Sequence, residues 1–350
     1  MVLLKGNEAI AEAAMRSGCT SYYGYPITPQ SEIMEYLFRK MPEWGGVCVQ
    51  AESEVAAANM ALGASAAGAR TMTSSSSPGI SLKTECISYM VGSDLPCVIV
   101  NIQRCGPGLG GIQPAQQDYI QSVKALGHGD MKVIALAPSS VQELAEMTSL
   151  AFDLADIYRT PVMILADGAL GQMMEPVDFD KLSKRKVPEK DWALTGHGGK
   201  RKNNIITSLY LMPEDLEAKV LERYATTYKT IEDNEIMFEE IDTDGADIVI
   251  VACGISARIA KTAFDKLRAD GVKAGFFRPI TLSPFPAAQL RKIADKAGRF
   301  LTVELNMGQM IDDVKIATEQ KKPVDFFGRT GGMMPAPDEI YDAVMKSLGK

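Results

Sequence analysis

The chain alternates short apolar runs with amphipathic stretches over its first 170 residues. Runs typical of buried strands occur near residues 19–25, 46–50, 70–73, 96–103, 132–137 and 160–166. Stretches with helical periodicity lie between them, near residues 8–16, 30–40, 52–69, 80–90 and 140–157. Strands that alternate with helices predict a parallel sheet covered by helices on both faces. Ligands of such sheets bind at the carboxyl ends of the strands, so the loops at those ends are the candidate functional positions.

This alternation stops near residue 178 and returns near residue 247. Segment 181–202 is charged and is interrupted by proline and glycine, which predicts a surface excursion, and segment 216–240 predicts a charged connecting helix. Further strands are predicted at 247–253, 272–278 and 299–304, with helices at 257–270, 287–297, 310–318 and 337–347. We therefore predict an α/β protein with three parts, residues 1–180, 181–245 and 246–350.

Composition narrows the class of protein. A length of 350 residues suits two domains, and a formal net charge of −7 argues against nucleic-acid binding. No apolar run is long enough to span a bilayer and the start is no signal peptide, so we expect a cytoplasmic protein. The six cysteines form no C-x-x-C pair and only two histidines accompany them, so an iron–sulfur or zinc site held by this chain alone is not expected.

Two candidate loops lead into predicted helices. In the loop 24–32, Thr28 offers a hydroxyl where exposed amides attract anions; alternatively, Thr28 caps the helix and Pro29 is its first residue. Glu52 and Glu54 precede an alanine-rich helix that we expect to be buried. Acids there complement the helix dipole, but a carboxylate that leads a buried helix needs a partner and is suited to a ligand nitrogen.

Two further candidate loops follow predicted strands. Four serines at 74–77 form either a polar cradle or a flexible turn. Residues 106–111 satisfy G-x-G-x-x-G, yet Pro107 lies inside the supposed turn and no helix is predicted to begin at Gly111, so we interpret this match to a dinucleotide motif as accidental. Arg104 stands at a strand end and is suited to pairing with a substrate carboxylate, with a surface salt bridge as the alternative.

These loops together resemble one family, the alpha-type subunits of 2-oxoacid:ferredoxin oxidoreductases. The resemblance runs over nearly all of the chain and is strongest in its first 180 residues. It is carried by YPITPQSE (25–32), QAESEVAAANMALGASAAGAR (50–70), MTSSSSPGISLK (72–83), SDLPCVIVNIQRCGPGLGG (93–111) and QPAQQDYIQ (113–121). The run SSSSPGISLK is most similar to the branch that uses a branched-chain 2-oxoacid, 3-methyl-2-oxobutanoate.

The resemblance implies a split active site. This chain would supply a pyrimidine-type thiamine-diphosphate domain, a doubly wound parallel sheet, followed by a smaller transketolase C-terminal-like domain. A beta-type subunit would hold the diphosphate and Mg²⁺, and gamma-type and ferredoxin-like subunits would carry the iron–sulfur clusters, so no metal site is expected here. Coenzyme A would receive the acyl group and ferredoxin the electrons.

By the same resemblance, Glu54 would hydrogen-bond the pyrimidine ring, with Glu52 as its rival. Thr28 would contact the substrate and Arg104 would bind its carboxylate. Cofactor contacts are also expected from neighbouring residues, namely Tyr25, Pro26, Ile27, Ser75 and Ser76. Alternatives are 2-oxoglutarate or pyruvate as substrate, another thiamine-diphosphate enzyme, a non-catalytic assembly subunit and an NAD-dependent dehydrogenase.

Overall fold

A computed structural model describes residues 1–350. Its strands are β1 (Val2–Lys5), β2 (Ser21–Gly24), β3 (Val47–Gln50), β4 (Thr71–Ser75), β5 (Cys97–Gln103), β6 (Ile134–Leu136), β7 (Pro161–Asp167), β8 (Met174–Val177), β9 (Phe238–Ile241), β10 (Ile248–Ala252), β11 (Ala274–Pro279), β12 (Thr281–Ser283), β13 (Phe300–Glu304) and β14 (Val324–Gly328).

Its α-helices are α1 (Gly6–Arg16), α2 (Ser31–Lys40), α3 (Glu54–Ala66), α4 (Pro78–Gly92), α5 (Tyr119–Lys124), α6 (Val141–Tyr158), α7 (Gly168–Gln172), α8 (Pro213–Arg223), α9 (Lys229–Asn234), α10 (Gly254–Ala269), α11 (Ala287–Ala294), α12 (Met310–Ala317) and α13 (Pro337–Ser347). Short 3₁₀ turns lie at Met41–Trp44 and Phe179–Lys181, and a π-helical turn at Tyr224–Tyr228 joins α8 to α9. None of these helices has the length and apolar character needed to cross a bilayer.

The larger sheet has seven strands in the order β12-β6-β7-β5-β4-β2-β3. All of its neighbouring pairs are parallel except β12 with β6. Its central strand β5 is buried along its whole length, and its side chains alternate between two cores, with Ile99 in one and Val98 and Val100 in the other. Helices therefore cover both faces of this sheet, as the apolar pattern predicts.

The smaller sheet has the order β14-β13-β10-β11-β9, parallel except for β9 at its edge. One apolar core joins the two halves of the chain, since Ile80 and Ile87 of α4 belong to the same cluster as Val249 and Phe277. β12 also reaches from the second half into the larger sheet. The division into residues 1–180, 181–245 and 246–350 stays a proposal, in which β12 crosses the boundary.

Several predicted elements differ from the structure. Segment 216–240 is not one helix: α8 and α9 end at Asn234, and β9 begins at Phe238. The strands β1, β8, β12 and β14 and the helices α5 and α7 were not predicted, because each has only three to six residues and too few apolar positions to show a period. The expectation that α3 is buried is wrong for its outer face, where Val55 is 46% exposed and Met60 39%.

Candidate active site

The four loops singled out in the sequence emerge at one edge of the larger sheet. Strands β3, β2, β4 and β5 are consecutive neighbours and run parallel, so their carboxyl ends lie side by side. The loop with Thr28 follows β2 and Glu54 follows β3. Ser75 ends β4, and Arg104 follows β5 directly. The topology therefore gathers all of these residues at the edge where α/β proteins bind ligands.

Glu54 is the first residue of α3 and points inward. Ser53 caps the helix, its Oγ accepting a hydrogen bond from the amide of Ala56 at 3.1 Å. The residue Glu54 is only 8% exposed, and no hydrogen bond within the protein reaches its carboxylate, whose oxygens are not fully enclosed. Glu52 lies before the helix and is exposed. A buried carboxylate that lacks a partner is free to hydrogen-bond a ligand, which favours Glu54 over Glu52.

Gly79, at the start of α4, makes room for this carboxylate. A Cβ at Gly79 would lie 2.1 Å from Ser75 Oγ and 2.8 Å from Glu54 Oε1, closer than ordinary packing permits. Ser75 and Ser76 are fully buried and their hydroxyls have no hydrogen-bond partner. Unpaired buried polar groups beside an unpaired carboxylate fit a bound group with polar ring atoms. The residues present therefore fit the pyrimidine half of thiamine diphosphate.

The loop that carries Thr28 is fixed through its backbone. Asn7 Nδ2 donates to Pro29 O at 2.7 Å, and Gln30 Nε2 donates to Tyr25 O at 3.2 Å. Helix α2 begins at Ser31 with Gln30 as its N-cap, so the alternative in which Thr28 caps the helix is wrong. Thr28 is exposed and free to contact a substrate. Of the other residues predicted to contact the cofactor, Pro26 is exposed, while Tyr25 and Ile27 are half-buried.

Arg104 is brought into direct contact with this loop. Its Nη1 donates to Thr28 O at 3.0 Å and its Nη2 to Leu109 O at 3.2 Å, while its Nε has no partner. The residue is only 7% exposed and no carboxylate lies within ion-pair distance, so the alternative of a surface salt bridge is wrong. A largely buried guanidinium without a carboxylate retains donors for an anionic ligand.

A polar cavity of about 670 Å³ opens beside Arg104, between the two halves of the chain. Asp118 lines it, and its Oδ2 accepts hydrogen bonds from Ser77 Oγ at 2.6 Å and Asn101 Nδ2 at 2.9 Å. Burial raises the pKa of the Asp118 carboxyl, and these two bonds oppose that shift. Neither Glu54 nor Thr28 lines this cavity. The predicted site residues thus form two groups. Arg104 bonds the backbone of Thr28, and Glu54 lies beside Ser75 near Gly79, with no direct contact between the two groups.

Sequence reasoning missed several residues of this cavity. Asn306, Gln309 and Thr330 reach it from the second half, and none of them was predicted to be a site residue. The only motif that led towards them was QPAQQDYIQ (113–121). Gln309 contacts this segment by donating a hydrogen bond from Nε2 to Gln117 O at 2.7 Å. No helix begins at Gly111, which removes the structural context of a dinucleotide-binding motif.

A parallel sheet with a largely buried glutamate, unpaired serine hydroxyls and a threonine loop at one edge has the features expected of the pyrimidine-side half of a thiamine-diphosphate enzyme. A family profile described as pyruvate flavodoxin/ferredoxin oxidoreductase, thiamine diphosphate-binding, matches residues 12–240. A second, described as pyruvate:ferredoxin oxidoreductase core domain II, matches residues 246–340. The chain belongs to this family of 2-oxoacid oxidoreductases. The fold class expected from the sequence, with its transketolase-like second domain, is confirmed.

Individual relatives are similar over nearly the whole chain. The ketoisovalerate oxidoreductase subunit VorB of Methanothermobacter marburgensis is 49% identical, with 99% of this chain and 98% of the relative covered. The 2-oxoglutarate synthase subunit KorA of Methanocaldococcus jannaschii is 35% identical, with 98% of each covered. A solved 2-oxoglutarate:ferredoxin oxidoreductase of Magnetococcus marinus superposes with a TM-score of 0.90 at 27% identity, and this chain covers 65% of that chain. The chain is thus similar to subunits of larger enzymes.

Proposed function

We propose that this chain is the pyrimidine-side subunit of an oxidoreductase that converts a branched-chain 2-oxoacid, 3-methyl-2-oxobutanoate, to its acyl-coenzyme A ester with reduction of ferredoxin. The observation that carries the proposal is Glu54 at the sheet edge, a residue only 8% exposed whose carboxylate makes no hydrogen bond within the protein, beside the buried unpaired hydroxyls of Ser75 and Ser76. The choice of a branched-chain acid is supported by 49% identity to a VorB subunit against 35% to a KorA subunit.

Each residue has a defined part in this proposal. Bound thiamine diphosphate supplies an electron sink that makes decarboxylation of a 2-oxoacid feasible. Glu54 would bind the pyrimidine ring at a ring nitrogen and hold the proton shared there. Thr28 would contact the 2-oxoacid, and Arg104, whose Nε is unpaired, would bind its carboxylate. Because Arg104 Nη1 bonds Thr28 O, these two substrate contacts would be positioned as one unit.

The proposal requires partner subunits. The outer faces of α3 and α4 expose large apolar side chains next to the site, Val55, Met60, Leu82 and Tyr89. Exposed apolar clusters of this kind mark protein interfaces. We assign this surface to a beta-type subunit that holds the diphosphate and Mg²⁺. Gamma-type and ferredoxin-like subunits would carry the iron–sulfur clusters, and a cytoplasmic location belongs to the same proposal.

The test uses the native complex isolated through a tag on this chain. Reduction of viologen with coenzyme A is measured for 3-methyl-2-oxobutanoate, pyruvate and 2-oxoglutarate. We expect the branched acid to give the highest kcat/KM and Glu54→Ala to abolish both activity and thiamine-diphosphate binding. The exposed neighbour offers a matched control, Glu52→Ala, which should leave both unchanged.

Each other outcome has a distinct meaning. A preference for pyruvate or 2-oxoglutarate would overturn the substrate and keep the chemistry. A complex that contains all partners and cofactor, yet is inactive with every acid, would identify this chain as a non-catalytic assembly subunit. Saturable binding of NADH would favour a dehydrogenase instead.

A further inference from the structure

Asp118 is an acidic residue beside the site that the proposed function does not use. It lines the polar cavity next to Arg104 and is the N-cap of α5, yet its side chain makes no capping bond to that helix. Its Oδ2 instead accepts hydrogen bonds from Ser77 Oγ at 2.6 Å and from Asn101 Nδ2 at 2.9 Å. Ser77 follows β4 and Asn101 lies on β5, so one carboxyl oxygen joins the ends of two neighbouring strands.

Ser77 needs such support because its backbone is strained. Its φ of 28° is positive, a region that residues with side chains rarely adopt. The Ser77 amide donates to Asn101 Oδ1 at 3.0 Å, and the same Asn101 side chain is oriented by its bond to Asp118. Asp118 therefore holds Ser77 by two routes, directly through the hydroxyl and indirectly through Asn101.

The Ser77 hydroxyl in turn holds the main chain of Arg104. The Arg104 amide donates to Ser77 Oγ at 3.0 Å, and Ser77 Oγ also lies 3.1 Å from Arg104 O. A hydroxyl has only one hydrogen to donate. The 2.6 Å contact with Asp118 is the shorter of its two donor contacts and takes that hydrogen. A lone pair of Ser77 Oγ is thereby left facing the Arg104 amide.

We propose that Asp118 is a positioning residue for the 2-oxoacid: it holds Ser77, and Ser77 holds the main chain of Arg104. The guanidinium of Arg104 bonds Thr28 O and Leu109 O, so a shift of its main chain also disturbs these contacts. The inference rests on the proposed function, in which Arg104 binds the carboxylate of the substrate. Asp118 itself is not assigned a contact with any reacting atom.

Steady-state kinetics of the intact complex with 3-methyl-2-oxobutanoate test the proposal. Asp118→Ala removes the acceptor and should raise KM by about 10-fold, an effect typical of one lost buried hydrogen bond. The value of kcat should change little, as expected when only substrate binding is weakened. Asp118→Asn keeps an oxygen that can accept from both Ser77 and Asn101, and should retain most of the affinity.

Two further variants separate positioning from a general loss of structure. Ser88→Ala, also on α4, removes a hydrogen bond of similar length to His128 O (2.7 Å) and should leave KM unchanged. Arg104→Gln removes the guanidinium through which Asp118 is proposed to act. Adding Asp118→Ala to Arg104→Gln should therefore lower kcat/KM much less than it does in the unmodified complex, because the two changes affect one interaction.

Hydrogen exchange at the Arg104 amide gives a measurement that does not depend on activity. Because this amide donates to Ser77 Oγ, its exchange should be faster in the Asp118→Ala complex than in the unmodified one. The Asp118→Asn and Ser88→Ala complexes should exchange like the unmodified complex. Thermal midpoints establish that each variant is folded.

The results distinguish the proposal from the proposed function. Unchanged KM or unchanged exchange in a folded Asp118→Ala complex would overturn the positioning role. So would an equal loss with Asp118→Asn, or an undiminished effect of Asp118→Ala beside Arg104→Gln. If the exchange results are as expected but the unmodified complex is inactive with every 2-oxoacid, the proposed function fails and the link from Asp118 to Arg104 stands.

Discussion

Gly79→Ala is a small substitution with a large predicted effect on activity. Gly79 is the second residue of α4 and has no positive φ, so an alanine is compatible with its backbone. Its new methyl group, however, would lie 2.1 Å from Ser75 Oγ and 2.8 Å from Glu54 Oε1. Both groups must move, and they are the two that we expect to meet the pyrimidine ring.

The distances set the size of the effect. Ordinary Cβ contacts begin near 3.4 Å, so the Ser75 hydroxyl must retreat by more than ~1 Å and the Glu54 carboxylate by roughly half of that. A misplacement of about 1 Å in a positioned group costs roughly 10²-fold in rate. Stability should change little, because an off-rotamer Ser75 costs about 1 kcal/mol and replacing glycine by alanine returns a similar amount.

The assay compares kcat/KM for the 2-oxoacid, cofactor affinity and thermal midpoint in the intact complex. Gly63→Ala is the matched control: it also lies in a helix of this site, α3, but a Cβ there meets nothing within 4 Å. We expect a fall of about 10²-fold in kcat/KM for Gly79→Ala and none for Gly63→Ala. Unchanged kcat/KM and cofactor affinity in a folded Gly79→Ala complex would refute the placement of the cofactor against Glu54 and Ser75.

Three further changes test other parts of the structure. Arg104→Lys should raise KM for the 2-oxoacid by roughly 10-fold or more, since lysine cannot form the bidentate pair; steady-state kinetics decide this, and an unchanged KM would contradict it. Burial raises the pKa of Asp167 to about 7 from 3.8, so the folded state holds a proton that the unfolded state releases, and stability should fall as pH rises from about 4 to 7. Asp167→Asn, which can keep the caps on Ala169 and Leu170, should lose this fall in pH-dependent thermal melts, whereas identical melts would contradict the assignment. Arg70→Met should destabilise the fold by about 3–5 kcal/mol, because it leaves the buried carboxylates of Asp153 and Asp156 without their guanidinium at 2.7 Å; denaturant unfolding measures this, and a loss below about 1 kcal/mol would show that Lys190 suffices for Asp156.

The position of the candidate site was predictable because parallel sheets place the loops after their strands at one edge. Buried strands such as β5 show as continuous apolar runs, and the residues after them must lie at the same edge once the strands are parallel. Choosing between Glu52 and Glu54 was harder. The choice depended on the residue at which α3 begins. Because Ser53 is the N-cap, Glu54 is the first residue of the helix and its side chain points inward.

Other features of the site depend on contacts between residues far apart in sequence. Asn306 and Gln309 reach the cavity only because the second half of the chain packs on the first, and no local pattern in their turn indicates this. Arg104 was predicted to pair with a substrate carboxylate, with a surface salt bridge as the alternative, but its burial by the loop whose carbonyls it bonds was not evident from the sequence. Lys83 lies in the helix predicted at 80–90, where the sequence shows it only as a polar residue. The packing of α4 on β4 is what shows that its side chain is fully buried.

The uncompensated polar groups at the sheet edge point to one physical interpretation. Glu54, Arg104 and Ser76 are each largely buried. Arg104 Nε and Ser76 Oγ are enclosed without a protein partner, and the Glu54 carboxylate makes no hydrogen bond within the protein. Unpaired buried groups lower stability, and a fold retains them mainly where ligand binding makes use of them. Here the unpaired groups include both signs of charge, an anion facing the serine cradle and a cation facing the interdomain cavity. A cofactor ring with a basic nitrogen and a substrate with a carboxylate would satisfy these two groups separately, which is why the two pairs of site residues do not need to touch one another.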